Sequence, residues 1–233
     1  MVVPIILASL GALLLAWFLY EKSKAYSLKA TFIKTGASFL FVSLAAYGFY
    51  QSNFRIFPMF AVIGLILGML GDIFLELKCV FKEKDYEFTL SGFIVFGLGH
   101  LFYITGMFLE FYHDQSVLYI IIPIACALLM GPVSFLVEKI FHLNYGEFKW
   151  VAFCYAIMLF GLAYCSFSVW MMNGFNNPGL LLLFIGGILF VASDMILNPT
   201  YFGKGHEKPF DFIINGITYY SAQYVIAFSI LFI

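Results

Sequence analysis

Long apolar runs separated by short polar gaps recur along the whole chain. Eight of them, at 2–20, 30–50, 56–77, 89–111, 117–137, 150–171, 178–197 and 212–232, are long enough to cross a bilayer, for which about 20 apolar residues suffice. The gaps hold no linker and no low-complexity segment, so no soluble domain fits between the runs. The pattern predicts an all-α polytopic bundle of eight transmembrane helices, forming one membrane domain over 1–233. Anything functional must then lie inside the bundle or on its short loops.

Charge gives the bundle a direction. The gaps after the first, third, fifth and seventh runs hold Lys22, Lys24, Lys29, Lys78, Lys82, Lys84, Lys139, Lys149, Lys204 and Lys208. The opposite gaps hold only Arg55, and Lys34 falls inside the second run. Basic residues mark the cytoplasmic side, so both termini are expected outside and the lysine-rich face inside, in a bacterial inner (plasma) membrane. No Lys or Arg precedes Lys22, so the first run reads as a span and not as a cleaved signal peptide.

Composition agrees. The chain is 63% hydrophobic, 21% aromatic and only 11% charged, against about 25% charged in soluble domains. The net charge of −1 and the absence of a basic cluster exclude a nucleic-acid partner. The cysteines, Cys79, Cys126, Cys154 and Cys165, have no CxxC spacing and are expected to be reduced packing residues.

Against this background the ionisable residues inside the runs stand out: Lys34, Asp72, Glu76, His100 and Asp194, with Tyr103, Ser193, Asn215, Tyr219, Tyr220 and Gln223 as polar neighbours. A carboxylate at the centre of a span costs roughly 2.5–3.5 kcal/mol on insertion scales, and such groups face the bundle interior or a wet cavity. Asp72 and Asp194 sit in related strings, IGLILGMLGDIFLEL (63–77) and IGGILFVASDMILNP (185–199). At an offset of 122 residues, Ile63/Ile185, Gly64/Gly186, Ile66/Ile188, Leu67/Leu189, Asp72/Asp194 and Leu75/Leu197 coincide. A duplicated four-span unit, 1–111 and 112–233, explains this and brings the two aspartates together at an axis along the membrane normal. Chance matching of Ile, Leu and Gly in so biased a composition is the competing explanation.

Each intramembrane residue also has a structural reading. Glu76 at the end of its run is expected to reach headgroups or Lys78. Asp194 has an ion pair with Lys34 as its structural alternative. His100 is expected to hydrogen-bond a neighbour, with Tyr103 on the same face, and Tyr219 and Gln223 share a face of the eighth run. One intramembrane histidine cannot build a triple-His zinc site; a site of two carboxylates and one histidine is the remaining metal option, and no metal is expected. Ser193 lies in no GxSxG elbow, and no glycine-rich phosphate loop is present.

Four strings in order, GDIFLEL (71–77), FGLGHLFY (96–103), GGILFVASDMIL (186–197) and TYYSAQYVIAFS (218–229), resemble the signature segments of the lysoplasmalogenase-like YhhN membrane proteins. The resemblance covers about residues 5–230. Lys34 falls where that family carries a lysine, although the family's lysine is commonly followed by Pro and here Thr35 follows. The resemblance implies an eight-helix hydrolase that cleaves the vinyl ether bond of a lysophospholipid (a lysoplasmalogen) to a fatty aldehyde and a glycerophospho-base, with no metal or organic cofactor. It also implies a site drawn from Lys34, Asp72, His100, Tyr103, Ser193, Asp194, Tyr219 and Gln223.

That chemistry suits the residues. Vinyl ether hydrolysis passes an oxocarbenium ion, which calls for one protonated acid and one carboxylate, the division of labour of glycosidases. Asp72 and Asp194 are expected as this catalytic pair, within roughly 5–9 Å of each other as in glycosidases and sharing one proton; which of them is the acid stays open. Lys34 is expected to hold phosphate, and His100, Tyr103, Tyr219 and Gln223 to position water or the ether oxygen. A lipid or solute transporter using the same charges is the rival reading, and a non-catalytic bundle the next.

Overall fold

The structure, a computed structural model, describes residues 2–113, 115–203 and 209–233, with the side chain of Pro209 excepted. Lys204 and Lys208 of the expected basic face, and His206, lie outside the described residues. Among the described residues there are eight α-helices and no strand: α1 Val2–Lys24, α2 Leu28–Gln51, α3 Ile56–Val80, α4 Asp85–Phe111, α5 Leu118–Ile140, α6 Lys149–Met172, α7 Pro178–Phe202 and α8 Pro209–Ser229.

Local chemistry sets several boundaries. Ser27 caps α2 by accepting from the Ala30 amide at 3.2 Å, and Asn177 caps α7 by accepting from Leu180 at 3.0 Å, with Pro178 at the first helical position where its missing N–H costs nothing. The helices outrun the apolar runs at their lysine-bearing ends: α1 continues to Lys24, α3 to Val80 and α7 to Phe202. Hydropathy stops where the side chains turn polar, but the backbone ladder has no reason to stop there.

Seven helices are long and apolar enough to span a membrane, and the protein is an integral multi-pass membrane protein. Helix α8 is not one of the seven, because Asn215, Thr218, Tyr219, Tyr220, Ser221 and Gln223 dilute it. It is nevertheless packed on α7, α2, α1 and α3, with Tyr220, Ala222, Gln223, Ile226 and Ala227 buried. Asn215, Tyr219, Tyr220 and Gln223 face protein and find partners that lipid does not offer.

The neighbour pattern repeats. In one half α1 packs on α2, α2 on α3 and α3 on α4; in the other α5 packs on α6, α6 on α7 and α7 on α8. Across the halves α4 meets α6, and α8 meets α2. Helices α3 and α4 approach closely at Gly64 and Gly99: a Cβ on Gly99 would stand 3.0 Å from the Gly64 carbonyl oxygen, so the backbones meet where no side chain intervenes. Helix α5, with Pro123 and Pro132 in its interior, packs on α6 at the rim of the bundle and not closely on α7.

Candidate active site

Asp72 is the seventeenth residue of α3 and Asp194 the seventeenth of α7, two helices of 25 residues each. Both carboxyls line one cavity of about 200 Å³. The two differ in what surrounds them.

Asp72 is 2% exposed and densely partnered. Its Oδ2 accepts from Ser38 Oγ at 2.6 Å and from Tyr219 Oη at 2.9 Å, and its Oδ1 lies 3.2 Å from Lys34 Nζ. Lys34 Nζ is also 3.2 Å from Glu76 Oε1, and Lys22 Nζ, at the end of α1, is 2.6 Å from the same oxygen. Two ammonium groups and two carboxylates thus form a closed cluster. Burying charge is affordable only in such paired form. Ser38 Oγ also meets Tyr220 Oη at 2.8 Å, and Tyr220 donates to the Lys34 carbonyl at 3.1 Å, tying α8 to α2. Around Lys22, the rings of Phe18, Tyr26 and Phe212 stand 5.3, 5.7 and 5.8 Å from Nζ.

Asp194 is half-buried. Tyr155 Oη, on α6, donates to its Oδ2 at 2.5 Å, and among the described residues no cation pairs with it. Ser193, next in the chain, is buried and receives Asn215 Nδ2 on its Oγ at 3.1 Å and on its carbonyl at 2.8 Å. That serine braces α7 against α8.

Three expectations are corrected. Lys34 pairs with Asp72 and Glu76, and not with Asp194. Glu76 does not reach headgroups or Lys78: it is buried with Lys22 and Lys34, because one helical turn puts it on the Asp72 face, while Lys78 turns to Asp85 at 3.5 Å. His100 has no hydrogen-bond partner on either nitrogen among the described residues; its ring packs edge-on to Phe190, centroids 4.6 Å apart. The two aspartates are not joined by a hydrogen bond among the described residues, and each has its own partners.

The remaining expected residues divide between two places. Lys34, Ser193 and Tyr219 line the cavity with the aspartates. His100, Tyr103 and Gln223 lie apart from it, packed with Gly64, Gly68 and Gly99 without room for a water molecule, and Phe96 and Phe190 border both groups. One chain of hydrogen bonds connects the two: Gln223 Nε2 donates to Tyr219 Oη at 2.8 Å, and Tyr219 to Asp72. Tyr103 Oη and Gln223 Oε1 have no partner among the described residues. Among the described residues no group of three His, Cys, Asp or Glu side chains is arranged to hold a metal ion, and all four cysteines are free thiols.

Ser38, Tyr155 and Lys22 were not singled out in the sequence. A serine and a tyrosine in a chain with fifteen tyrosines carry no signal alone, and Lys22 read as one loop lysine among many. Counting in turns from Lys34 was the available clue to Ser38, which lies four residues on and on the same face.

No curated protein and no solved structure matches the chain. The YhhN family model matches residues 29–230, a stretch that contains every member of the cavity cluster except Lys22, and the chain belongs to the YhhN family.

Proposed function

We propose that this protein is a membrane-embedded hydrolase of single-chain ether lipids, cleaving the vinyl ether bond of a lysoplasmalogen to a fatty aldehyde and a glycerophospho-base. The observation that carries this reading is the pair Asp72 and Asp194, level on two helices, lining one cavity and unlike in their partners. Family membership supports it.

The unlike partners suggest unlike roles. Asp72 is ion-paired with Lys34 and takes the carboxylate role; Asp194, whose one partner among the described residues is the Tyr155 phenol, takes the role of proton donor. In the first step Asp194 gives its proton to the β-carbon of the vinyl ether. The C=C electron pair forms the new C–H bond, and positive charge spreads over the α-carbon and the ether oxygen. The Asp72 carboxylate, held by Ser38 and Tyr219, opposes that charge and takes a proton from the water that adds to the α-carbon. The hemiacetal then collapses: its hydroxyl gives its proton to the Asp194 carboxylate, the bond from the α-carbon to the glycerol oxygen breaks, and Asp72 returns its proton to that oxygen, so both carboxyls regain their starting states. Positioned acid–base groups of this kind contribute about 10²–10⁴-fold each. Lys34 is committed to two carboxylates, so Lys22, at the aromatic-lined end of the cluster, is the better holder of the headgroup phosphate. The lysine-bearing helix ends face the cytoplasm in this reading, and substrate enters from that half of the membrane.

Aldehyde release from a lysoplasmenyl lipid by purified protein in detergent, with chelator present, tests this. Wild type is expected to release aldehyde, and Asp72→Asn and Asp194→Asn to fall by at least about 100-fold. Near-normal turnover in both variants sinks the paired-carboxylate mechanism. Absence of turnover by folded wild type moves the reading to other lysolipids and then to a carrier, which needs two compartments and yields no product in detergent.

A further inference from the structure

The offset of 122 residues extends beyond the two aspartates to the helices that carry them. Adding it to Ile56–Val80 gives Pro178–Phe202 at both ends, and adding it to Leu28–Gln51 lands one residue beyond Lys149–Met172 at both ends. On this register the cluster residues Lys34, Ser38, Asp72 and Glu76 correspond to Ala156, Phe160, Asp194 and Asn198. All four counterparts line the same cavity. One wall is therefore charged and its counterpart neutral, with a carboxyl kept on each.

We propose that the cavity derives from a duplicated half-bundle whose two walls have diverged into a head side and a tail side, so that a single-chain amphiphile lies in it in one direction, with Ala156 and Phe160 setting the length of hydrocarbon admitted. The polar end belongs against the Lys22–Lys34–Glu76 cluster, since a hydrocarbon chain there would strand charges. The chain belongs along α6, where the lysine of the first half is replaced by a methyl group and Ser38 by a phenyl ring. That side also opens toward lipid. Helix α5 packs on α6 and not closely on α7, yet Met130, Val133 and Val137 of α5 share the cavity with Met195 of α7, which is 41% exposed. Phe160 is the last residue of α6 to line the cavity and Met130 the first of α5, so these two mark its inner end. Asp194, on the tail-side wall, then stands at the junction of head and chain, where an ether bond lies.

This rests on the ether-lipid reading for the class of ligand, so the test uses a ligand that cannot be cleaved. Saturated 1-O-alkyl lysophosphatidylethanolamines with 12, 16 and 20 carbons compete for the protein, and native mass spectrometry reads which are bound. Ala156→Leu is expected to lower the 20- to 12-carbon ratio by at least about tenfold, the effect of roughly 1.4 kcal/mol. Phe160→Ala is expected to raise it. Leu129→Ala, which removes a lipid-facing side chain 64% exposed, leaves the ratio unchanged. Binding with a ratio unmoved by either α6 variant overturns the tail path and leaves the hydrolase reading intact. A shifted ratio in a protein that releases no aldehyde supports the tail path and removes the vinyl ether reading. Failure of folded wild type to bind any of the three lipids overturns the proposal.

Discussion

Tyr155 reaches across from α6 to α7 and donates to Asp194 at 2.5 Å, so the cavity carboxyl with no cation beside it among the described residues is aimed by a phenol. As its proton leaves, Asp194 becomes a carboxylate that keeps this bond, and hydrogen bonds to a charged group contribute about 1.5–3 kcal/mol. Tyr155→Phe keeps the ring's packing on Phe93 and His100 and removes only that bond. It is expected to lower turnover by roughly 10- to 100-fold, at about 1.4 kcal/mol per decade, with the unfolding temperature in detergent little changed. Equal turnover in the variant removes Tyr155 from the site.

The two aspartates differ in what their removal leaves behind. Asp72→Asn takes a charge from a closed cluster and leaves Lys34 with Glu76 alone, so stability falls along with turnover. Asp194→Asn strands no cation among the described residues and is expected to keep the wild-type unfolding temperature. Thermal unfolding of the two purified variants side by side checks this; equal destabilisation contradicts the asymmetry.

Lys34 is the centre of the cluster, bonded to both Asp72 and Glu76. Lys34→Met strands Asp72 and leaves Glu76 with Lys22 alone, and breaking a buried ion pair from one side typically costs about 3–5 kcal/mol. The double change Lys34→Met, Asp72→Asn is expected to recover much of the stability and none of the turnover. A double variant as unstable as the single one shows that the lysine acts through packing instead.

Gly68 lies beneath the Gln223–Tyr219–Asp72 chain. A Cβ there would stand 2.6 Å from Gln223 Nε2, and overpacking of this kind costs about 1–3 kcal/mol. Gly68→Ala is expected to push Gln223 off Tyr219 and to match the activity of Gln223→Leu. Unaltered turnover in Gly68→Ala shows that the amide does not support Tyr219 in the reaction.

Orientation is open to direct labelling. A cysteine introduced at Lys82 in a background lacking the four native cysteines is expected to react with an impermeant thiol reagent only from the cytoplasmic side, and one at Asn53 only from the other. The reverse pattern inverts the topology.

Much of this protein follows from its chain alone. Eight apolar runs become eight helices because a backbone in lipid must satisfy its own hydrogen bonds, and an ionisable side chain in such a run is driven inward by the cost of lipid exposure. That reasoning brought out Asp72, Asp194, Lys34 and Glu76 before any helix was packed. Who pairs with whom was decided only by the tertiary structure. Asp72 is 38 residues from Lys34 in the chain and Glu76 is 54 from Lys22; hydropathy carries no record of which faces of α1, α2 and α3 meet. Ser38, Tyr155 and Lys22 joined the carboxyls for the same reason, being ordinary residues until a neighbouring helix set a carboxyl beside them. His100, Tyr103 and Gln223 looked equivalent to the rest in sequence, yet they pack with the rings of Phe96 and Phe190 outside the lining of the cavity. Depth in the membrane is a property of one helix and is legible from its composition. The direction a side chain faces at that depth is a property of the bundle.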